Sequence, residues 1–284
     1  MYTFLRDLDR RWIFLLMGIV ATVPILAGWR FPEDPSPMVR DVFHAIEDLP
    51  DGSRIFMAYD YDPASQGELH PMALAFTRHC ALKGHKLYFF TLWPQGGPLI
   101  QQNIRLIERN FPDYEYGEDY VNLGYRSGQE GPIKVIVTDL RKSVAVDVNG
   151  TSLSEIPMTR DIRNIQQMDL IVNVSAGYPG TKEWVLYAST PYNIETVAGC
   201  TGVSAPYLYP YYPEQLAGIL GAIKAAAEYE YTLIEEYPQL KDDPTAQEAL
   251  RRMGPQLVAH VTLIVLIIVG NTIYFVGRSR GDVT

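Results

Sequence analysis

The sequence predicts a three-layer, Rossmann-like α/β domain with a mainly parallel sheet, flanked by N- and C-terminal transmembrane helices. Three observations support this fold class. Long apolar runs stand near both ends of the 284-residue chain, short apolar runs alternate with helix-periodic segments between them, and turn residues separate the segments. Strands that alternate with helices form parallel sheets that are covered on both faces.

The first apolar run covers residues 12–29, 18 positions without a charge, between Arg11 and Arg30. About 20 apolar residues in a helix cross a hydrocarbon core of about 30 Å. A cleaved signal peptide is the alternative, but this run is longer than the usual apolar region of such a peptide. We therefore expect a tail at 1–11 and an uncleaved transmembrane helix at 12–29.

The second apolar run covers residues 256–277, in which only His260 and Asn271 are strongly polar. Its length and the arginines near both ends, Arg252 and Arg278, disfavour the alternative of a buried core helix. We expect a linker at 241–255, a transmembrane helix at 256–277 and a second tail at 278–284.

The distribution of charge predicts the orientation in the membrane. The two tails carry five Arg and three Asp, whereas the segment between them carries 19 Lys and Arg against 30 Asp and Glu. Basic residues favour the cytoplasmic side. We therefore expect cytoplasmic termini and an extracytoplasmic main domain, periplasmic in a Gram-negative bacterium.

Between the anchors we expect a linker with a short amphipathic helix at 30–52, then the α/β domain at 53–240. The predicted strands are 54–59, 86–92, 169–174 and 194–198. The predicted helices are 71–83, 98–110, 133–144, 181–188 and 211–237, and a strand at 135–137 is the alternative to the helix 133–144. The two remaining segments, 112–132 and 147–167, lack a clear pattern and are predicted to be surface loops.

Composition excludes several classes of function. The net charge of −9 argues against a nucleic-acid partner, which would favour a basic surface. Two cysteines cannot form a dense disulfide scaffold. Cys80 and Cys200 are expected to be free and buried, although a disulfide between them stays open. No motif indicates a cofactor or a metal site, and His79 and His85 are expected at the surface.

In a parallel α/β sheet, ligands bind beyond the carboxyl ends of the strands, where four loops of this chain are expected to meet. We assign no catalytic residue. The candidate ligand-binding residues in these loops are Asp60, Asp62, Ser65, Glu68, His70, Gln95, Ser175, Gly177, Tyr178, Gly180 and Cys200.

Each of the two richest loops has a structural alternative. Asp60, Asp62, Glu68 and His70 suit acid–base chemistry or a hard cation, but they also suit a solvated turn that caps the next helix. The loop at 175–180 precedes a helix and could hold an anion, yet it matches neither G-x-G-x-x-G nor a P-loop. A plain strand-to-helix turn is its alternative.

Residues 206–213, PYLYPYYP, are rich in tyrosine and proline. Tyrosine offers a large contact area at a small entropic cost, so a protein interface is one interpretation. Packing against the domain's own edge is the other.

These observations lead us to expect a double-anchored membrane protein whose extracytoplasmic domain is a binding or assembly module in a larger membrane complex. Its partners would be the lipid bilayer and either other membrane subunits or copies of itself. One alternative is a membrane-anchored enzyme with a site formed by Asp60, Asp62, His70 and Ser175. A ligand-sensing accessory subunit of a transporter is another.

Overall fold

A computed structural model describes residues 8–280 of the chain. The predicted tails therefore lie partly outside the described residues. The chain divides into two compact units, one formed by Glu33–Ala249 and one by the terminal segments up to Pro32 and from Leu250 onward.

The unit Glu33–Ala249 contains one six-stranded sheet. Its strands are β1 Arg54–Asp60, β2 Lys86–Thr91, β3 Tyr120–Tyr125, β4 Leu170–Ser175, β5 Thr196–Cys200 and β6 Gly218–Gly221. They pair in the order β3-β2-β1-β4-β5-β6, and every pair is parallel. This is the strand order of a doubly wound Rossmann-like sheet, whose order reverses between β1 and β4. The predicted fold class is confirmed.

The helices of the chain, in order, are α1 Arg10–Ala27, α2 Pro37–Glu47, α3 Gln66–Leu82, α4 Gly96–Asn110, α5 Gly131–Ile136, α6 Leu140–Ser143, α7 Thr181–Trp184, α8 Thr190–Tyr192, α9 Ala205–Leu208, α10 Ala222–Glu236 and α11 Glu248–Arg280. A π-helical turn, Val185–Ser189, follows α7. Short 3₁₀ turns lie at Ile165–Gln167, Tyr209–Tyr211, Pro238–Asp242 and Pro244–Ala246.

The sheet has a helical layer on each face because successive side chains of a strand point to opposite sides. On one face, Phe56 and Ala58 of β1 join the cluster that contains Trp184 and the apolar residues of α5. On the other face, α3, α4 and α10 pack together over the strands. The Tyr59 hydroxyl, for example, donates to the Ala73 carbonyl of α3 at 2.9 Å.

Helix α2 covers the edge strand β6, although about 170 residues separate them in sequence. Its apolar residues Val39, Val42, Phe43 and Ile46 are buried. Gly218 permits this contact, because a Cβ atom at that position would lie 2.5 Å from the Val42 side chain and 2.8 Å from the Met38 carbonyl.

Several sequence predictions are wrong within this domain. Strand β3 lies in a segment predicted to be a surface loop, and β6 lies in the predicted helix 211–237, which begins only at Ala222. The predicted helix 133–144 is two short helices, because Asp139 caps α6 by accepting from the amides of Arg141 and Lys142.

The segment 147–167 was also predicted to be a surface loop, but it contributes to the core. Its apolar side chains are buried in the same cluster as Trp184, and they are Leu153, Ile156, Met158, Ile162 and Ile165. Because these residues are spaced irregularly, no helix or strand period revealed that they face inward.

The terminal segments contain two helices that are long and apolar enough to cross a membrane, Arg10–Ala27 and Glu248–Arg280. Asp9 begins the first by accepting from the Arg11 amide at 2.9 Å, and Gly28 ends it in the left-handed conformation. The most apolar window of the second helix has no buried residue. The predicted apolar segments both lie within these helices, apart from Gly28 and Trp29.

Candidate functional site

Asp60 occupies the point where the strand order reverses. It is the last residue of β1, and its side chain is fully buried. Its Oδ1 accepts from the Leu92 amide at 2.7 Å, and its Oδ2 accepts from Asn173 Nδ2 at 2.9 Å and Trp184 Nε1 at 2.8 Å. Strand β1 lies between β2 and β4, so donors from both sides reach the same carboxylate.

The buried surroundings of Asp60 disfavour the ionised form of its carboxyl group. Burial raises the pKa of this carboxyl to about 7, even though the hydrogen bonds from Leu92, Trp184 and Asn173 act in the opposite direction. All three donors are neutral groups. Asp60 thus joins three parts of the chain and offers no open carboxylate to a ligand.

Ser175 is part of the same buried network. Thr181 Oγ1 donates to Asn173 Oδ1 at 2.6 Å and lies 2.9 Å from Ser175 Oγ, which also accepts from the Thr181 amide at 3.1 Å. A serine nucleophile needs a neighbouring base. The hydroxyl partner of Ser175 is a threonine, which is not such a base.

The loop at 175–180 is closed by contacts within the protein. The Gly180 amide donates to Glu183 Oε2 at 2.9 Å. A Cβ atom at Gly180 would lie 2.2 Å from the Gly177 carbonyl oxygen, so only glycine fits this turn. An anion at the start of α7 would need amides that Glu183 and Ser175 already engage. This geometry supports the plain strand-to-helix turn.

Tyr178, at the tip of that loop, is exposed. Its hydroxyl donates to Glu130 Oε2 at 2.5 Å and to Gln129 Oε1 at 3.1 Å. Lys134 Nζ donates to Glu130 Oε1 at 3.2 Å and stands 4.2 Å from the centre of the Tyr187 ring. These contacts tie the loop to the start of α5. The hydrogen bond to Glu130 raises the pKa of Tyr178 to about 12.

The residues predicted in the first loop separate into distinct contacts. Asp62 Oδ1 accepts from both the amide and the hydroxyl of Ser65 at 2.9 Å, which forms a local turn. Glu68 Oε1 accepts from the Gly202 amide at 2.8 Å and so joins α3 to the loop after β5. His70 is buried, with Nδ1 2.8 Å from the Tyr61 hydroxyl.

Gln95 and Cys200 complete the predicted set. Gln95 is exposed at the start of α4. Cys200 ends β5 and is buried, and both it and Cys80 are free thiols. Burial raises the pKa of Cys200 to about 12. Within residues 8–280, no group of three or more His, Cys, Asp or Glu side chains is placed to hold a metal ion.

A second buried network was missed by sequence analysis. His79 is fully buried, as is His85, so the predicted surface positions of both are wrong. His79 Nδ1 lies 2.6 Å from the Tyr229 hydroxyl, and Nε2 lies 2.8 Å from Glu47 Oε2. His79 stands seven residues after Met72, which places both on the same apolar face of α3. This spacing is the feature of the sequence that indicates the burial of His79.

The tyrosine-rich segment divides between core and surface. Leu208 is buried, and the Tyr212 hydroxyl donates to Asp41 Oδ2 at 2.5 Å. Val203 and Tyr207 are 82% and 77% exposed, and Tyr209 is also exposed. We call these three exposed residues the tyrosine surface. It follows β5, beside the carboxyl edge of the sheet.

No protein-family model matches this chain, and no curated protein matches it at a significant level. Among solved structures, the chain is similar to the crystal structure of the glycotransferase of kitacinnamycin, at 16% sequence identity and a TM-score of 0.24. The match covers 72% of this chain and 39% of that one. At this TM-score the likeness carries no inference about activity.

Proposed function

We propose that this chain is a membrane protein anchored by both terminal helices, whose α/β domain serves as a binding or assembly module in a larger membrane complex. The observation that carries the proposal is the contrast at the carboxyl edge of the sheet. There Asp60, Asn173, Ser175 and Thr181 bond to one another, whereas the neighbouring tyrosine surface is exposed. A catalytic or cofactor site needs accessible polar groups.

The tyrosine surface has the composition of a protein interface. Exposed aromatic residues are enriched in such interfaces, because they bury a large area with few rotatable bonds. The partner would be another membrane subunit or a second copy of this chain. An apolar terminal helix beside that partner in the bilayer would add a second area of contact.

The assembly is tested by native mass spectrometry of the full chain in a mild detergent. We expect either an oligomer or a complex with a second subunit, which the double variant Val203→Ser/Tyr207→Ser loses. A matched control, Val148→Ser/Tyr192→Ser, removes an exposed valine and an exposed tyrosine elsewhere and should keep the assembly. A monomer that copurifies with nothing would overturn the proposal.

The proposed orientation places both termini in the cytoplasm and the domain outside it. Labelling with a membrane-impermeant maleimide tests this arrangement in intact cells. Gln95→Cys should react from outside, whereas Ser279→Cys should react only after permeabilisation. The native Cys80 and Cys200 are buried and give little background. If only Ser279→Cys reacts from outside, the orientation is the opposite of the proposed one. If Gln95→Cys and Ser279→Cys react equally from outside, the C-terminus is not cytoplasmic.

A further inference from the structure

A half-open surface pocket of about 250 Å³ is lined by α3, α4, Thr245 of the 3₁₀ turn Pro244–Ala246, and Glu248 at the start of α11. Helix α4 contributes one continuous stripe to its wall, Gln102, Arg105, Leu106, Arg109 and Asn110. These positions recur at intervals of three and four residues, so they share one face of the helix. We call this hollow the arginine cavity.

The two arginines of the arginine cavity stand one helical turn apart and carry like charges. Neither makes an ion pair or a side-chain hydrogen bond with any residue in the described range 8–280. The chain has 33 Asp and Glu against 24 Lys and Arg, so carboxylate partners are plentiful. Like charges at this spacing repel each other, and an anion between them would relieve the repulsion.

Asp243, a carboxylate beside this wall, is already engaged, and one of its donors is Asn110 Nδ2 at 3.4 Å. Arg78 is only 2% exposed and donates to Asp243 Oδ2 at 3.1 Å and to Thr245 Oγ1 at 2.7 Å. Asp243 also accepts from the Thr245 amide at 2.8 Å. Burial opposes the charge of Asp243, but its hydrogen bonds from Thr245 and the nearby charge of Arg78 outweigh that effect and lower its pKa. Arg78 therefore holds Asp243 and Thr245 in place, and Thr245 lines the cavity.

The remaining lining leaves the arginine cavity net positive. Among the described residues that line it, Glu248 is the one acidic side chain, against the two guanidinium groups. Gln102 accepts from Gln66 Nε2 through Oε1 at 3.1 Å, so the other end of its amide is a donor. Leu74 and Leu106 supply apolar surface.

From this geometry we infer that the arginine cavity binds a phosphate-type oxyanion, either as a small free ester or as the headgroup of an anionic lipid. Guanidinium groups bind such oxyanions through paired, charge-assisted hydrogen bonds. The volume lies below the roughly 300–1,000 Å³ of pockets for drug-sized ligands, so it suits one phosphate group and a few further atoms. The inference does not depend on the tyrosine surface.

Binding is tested with the full chain in nanodiscs of zwitterionic phosphatidylcholine. Glycerol phosphate should raise the unfolding temperature more than sodium chloride at equal ionic strength, because a ligand of the native state stabilises it. Arg105→Gln/Arg109→Gln should weaken binding more than tenfold, and Arg105→Lys/Arg109→Lys less. Arg163→Gln/Lys182→Gln removes two exposed charges outside the cavity and should bind as the wild type does.

A second arm identifies the source of the phosphate. Nanodiscs that contain phosphatidylglycerol should stabilise the wild type but not Arg105→Gln/Arg109→Gln if the ligand is a lipid headgroup. In those nanodiscs, glycerol phosphate would then raise the unfolding temperature of the wild type little further. A free ester is indicated if glycerol phosphate stabilises the protein equally in both membranes. The inference is refuted if glycerol phosphate and phosphatidylglycerol each raise the unfolding temperature of Arg105→Gln/Arg109→Gln as much as that of the wild type and of the Arg163→Gln/Lys182→Gln control.

Discussion

Asp60 at the carboxyl edge of the sheet and Glu47 at the end of α2 each accept three hydrogen bonds, yet their pKa values shift in opposite directions. The pKa of Asp60 rises to about 7, mainly because its side chain is fully buried. The pKa of Glu47 falls to about 2, mainly because of the hydrogen bond from His79. Further bonds from Tyr237 and Lys83 outweigh its partial burial.

The comparison teaches that the number of hydrogen bonds does not determine the charge of a carboxyl group. Glu47 keeps 21% of its side chain exposed, and one of its donors is the ammonium group of Lys83 at 3.2 Å. Asp60 has only neutral donors and no solvent. Burial lowers the pKa of His79, whereas its hydrogen bond with Glu47 and the charge of Glu47 act in the opposite direction. We therefore interpret the Asp60 network as a buried structural contact between neutral donors and one carboxyl group. The Glu47 network is a partly exposed contact in which charged groups join α2 to α3.

The largest expected effect comes from Asp60→Leu. This change removes the acceptor of the Leu92 amide, of Trp184 Nε1 and of one of the two Asn173 Nδ2 hydrogens, the other of which donates to the Ala58 carbonyl. Each buried donor without an acceptor costs about 1–3 kcal/mol. We expect a loss of about 4 kcal/mol in the free energy of unfolding, measured by urea denaturation of the solubilised chain. Asp62→Leu, at a half-exposed carboxylate, should cost less than about 1 kcal/mol. Equal losses would contradict the role of Asp60.

The second effect is a pH dependence that belongs to Asp60. The pKa of Asp60 is higher in the folded state than the value of 3.8 expected in the unfolded chain. The contribution of Asp60 to the free energy of unfolding is therefore complete below pH 3.8 and is lost as the pH rises through about 7. The stability difference between the wild type and Asp60→Asn should fall across this window, by up to about 1.4 kcal/mol per pH unit. Urea midpoints from pH 4 to 8 measure it. A constant difference would show that Asp60 is ionised throughout.

The third effect is smaller and has the opposite sign with pH. Glu47→Gln should cost about 1–2 kcal/mol near pH 7, because it weakens charge-assisted hydrogen bonds at a partly exposed site. The pKa of Glu47 is lowered in the folded state, so the cost should shrink as the pH falls from 4.5 towards 2. Tyr237→Phe, which removes one donor, should cost about 1 kcal/mol. A cost for Glu47→Gln that grows in acid would contradict this assignment.

The smallest effect is expected at the tyrosine surface. Val203→Ser/Tyr207→Ser alters exposed side chains and should change the free energy of unfolding by less than about 0.5 kcal/mol. The same denaturation measurement checks it. A larger loss would mean that these residues pack in the domain, and a loss of assembly could then be attributed to unfolding.

Sequence patterns predict the strands whose apolar residues form uninterrupted runs, such as residues 87–90 in β2. They failed at β3, where Asn122 and the left-handed Gly124 interrupt the run, and the pairing with β2 contains an irregularity. They failed at β6 because Ile219, Leu220 and Ile223 also fit a helical period. Local periodicity cannot separate a four-residue strand from the helix that follows it.

Sequence patterns predict the position of Asp60 at the end of a strand, but they do not predict its contacts. Asp60 does lie at the expected edge, but its partner Trp184 is 124 residues away in sequence, so its burial depends on tertiary contacts that no local pattern encodes. The same reason hides the contact between His79 and Tyr229, which are 150 residues apart. Sequence patterns do not indicate the arginine cavity, because its charged residues are typical of an ordinary solvated helix face.

The contact between α2 and β6 has a consequence for how the protein is made. A ribosome adds about 5–20 residues per second, so roughly 10–35 s pass between the synthesis of α2 and the synthesis of β6. During that interval Phe43 can already stack on His79, but the part of α2 that packs against β6, such as Val42 beside Gly218, lacks its native partner. The nascent chain must keep this apolar face from aggregating, and its domain can close only after almost all of it has been synthesised. A truncation before Gly218 should therefore leave a chain that recruits chaperones.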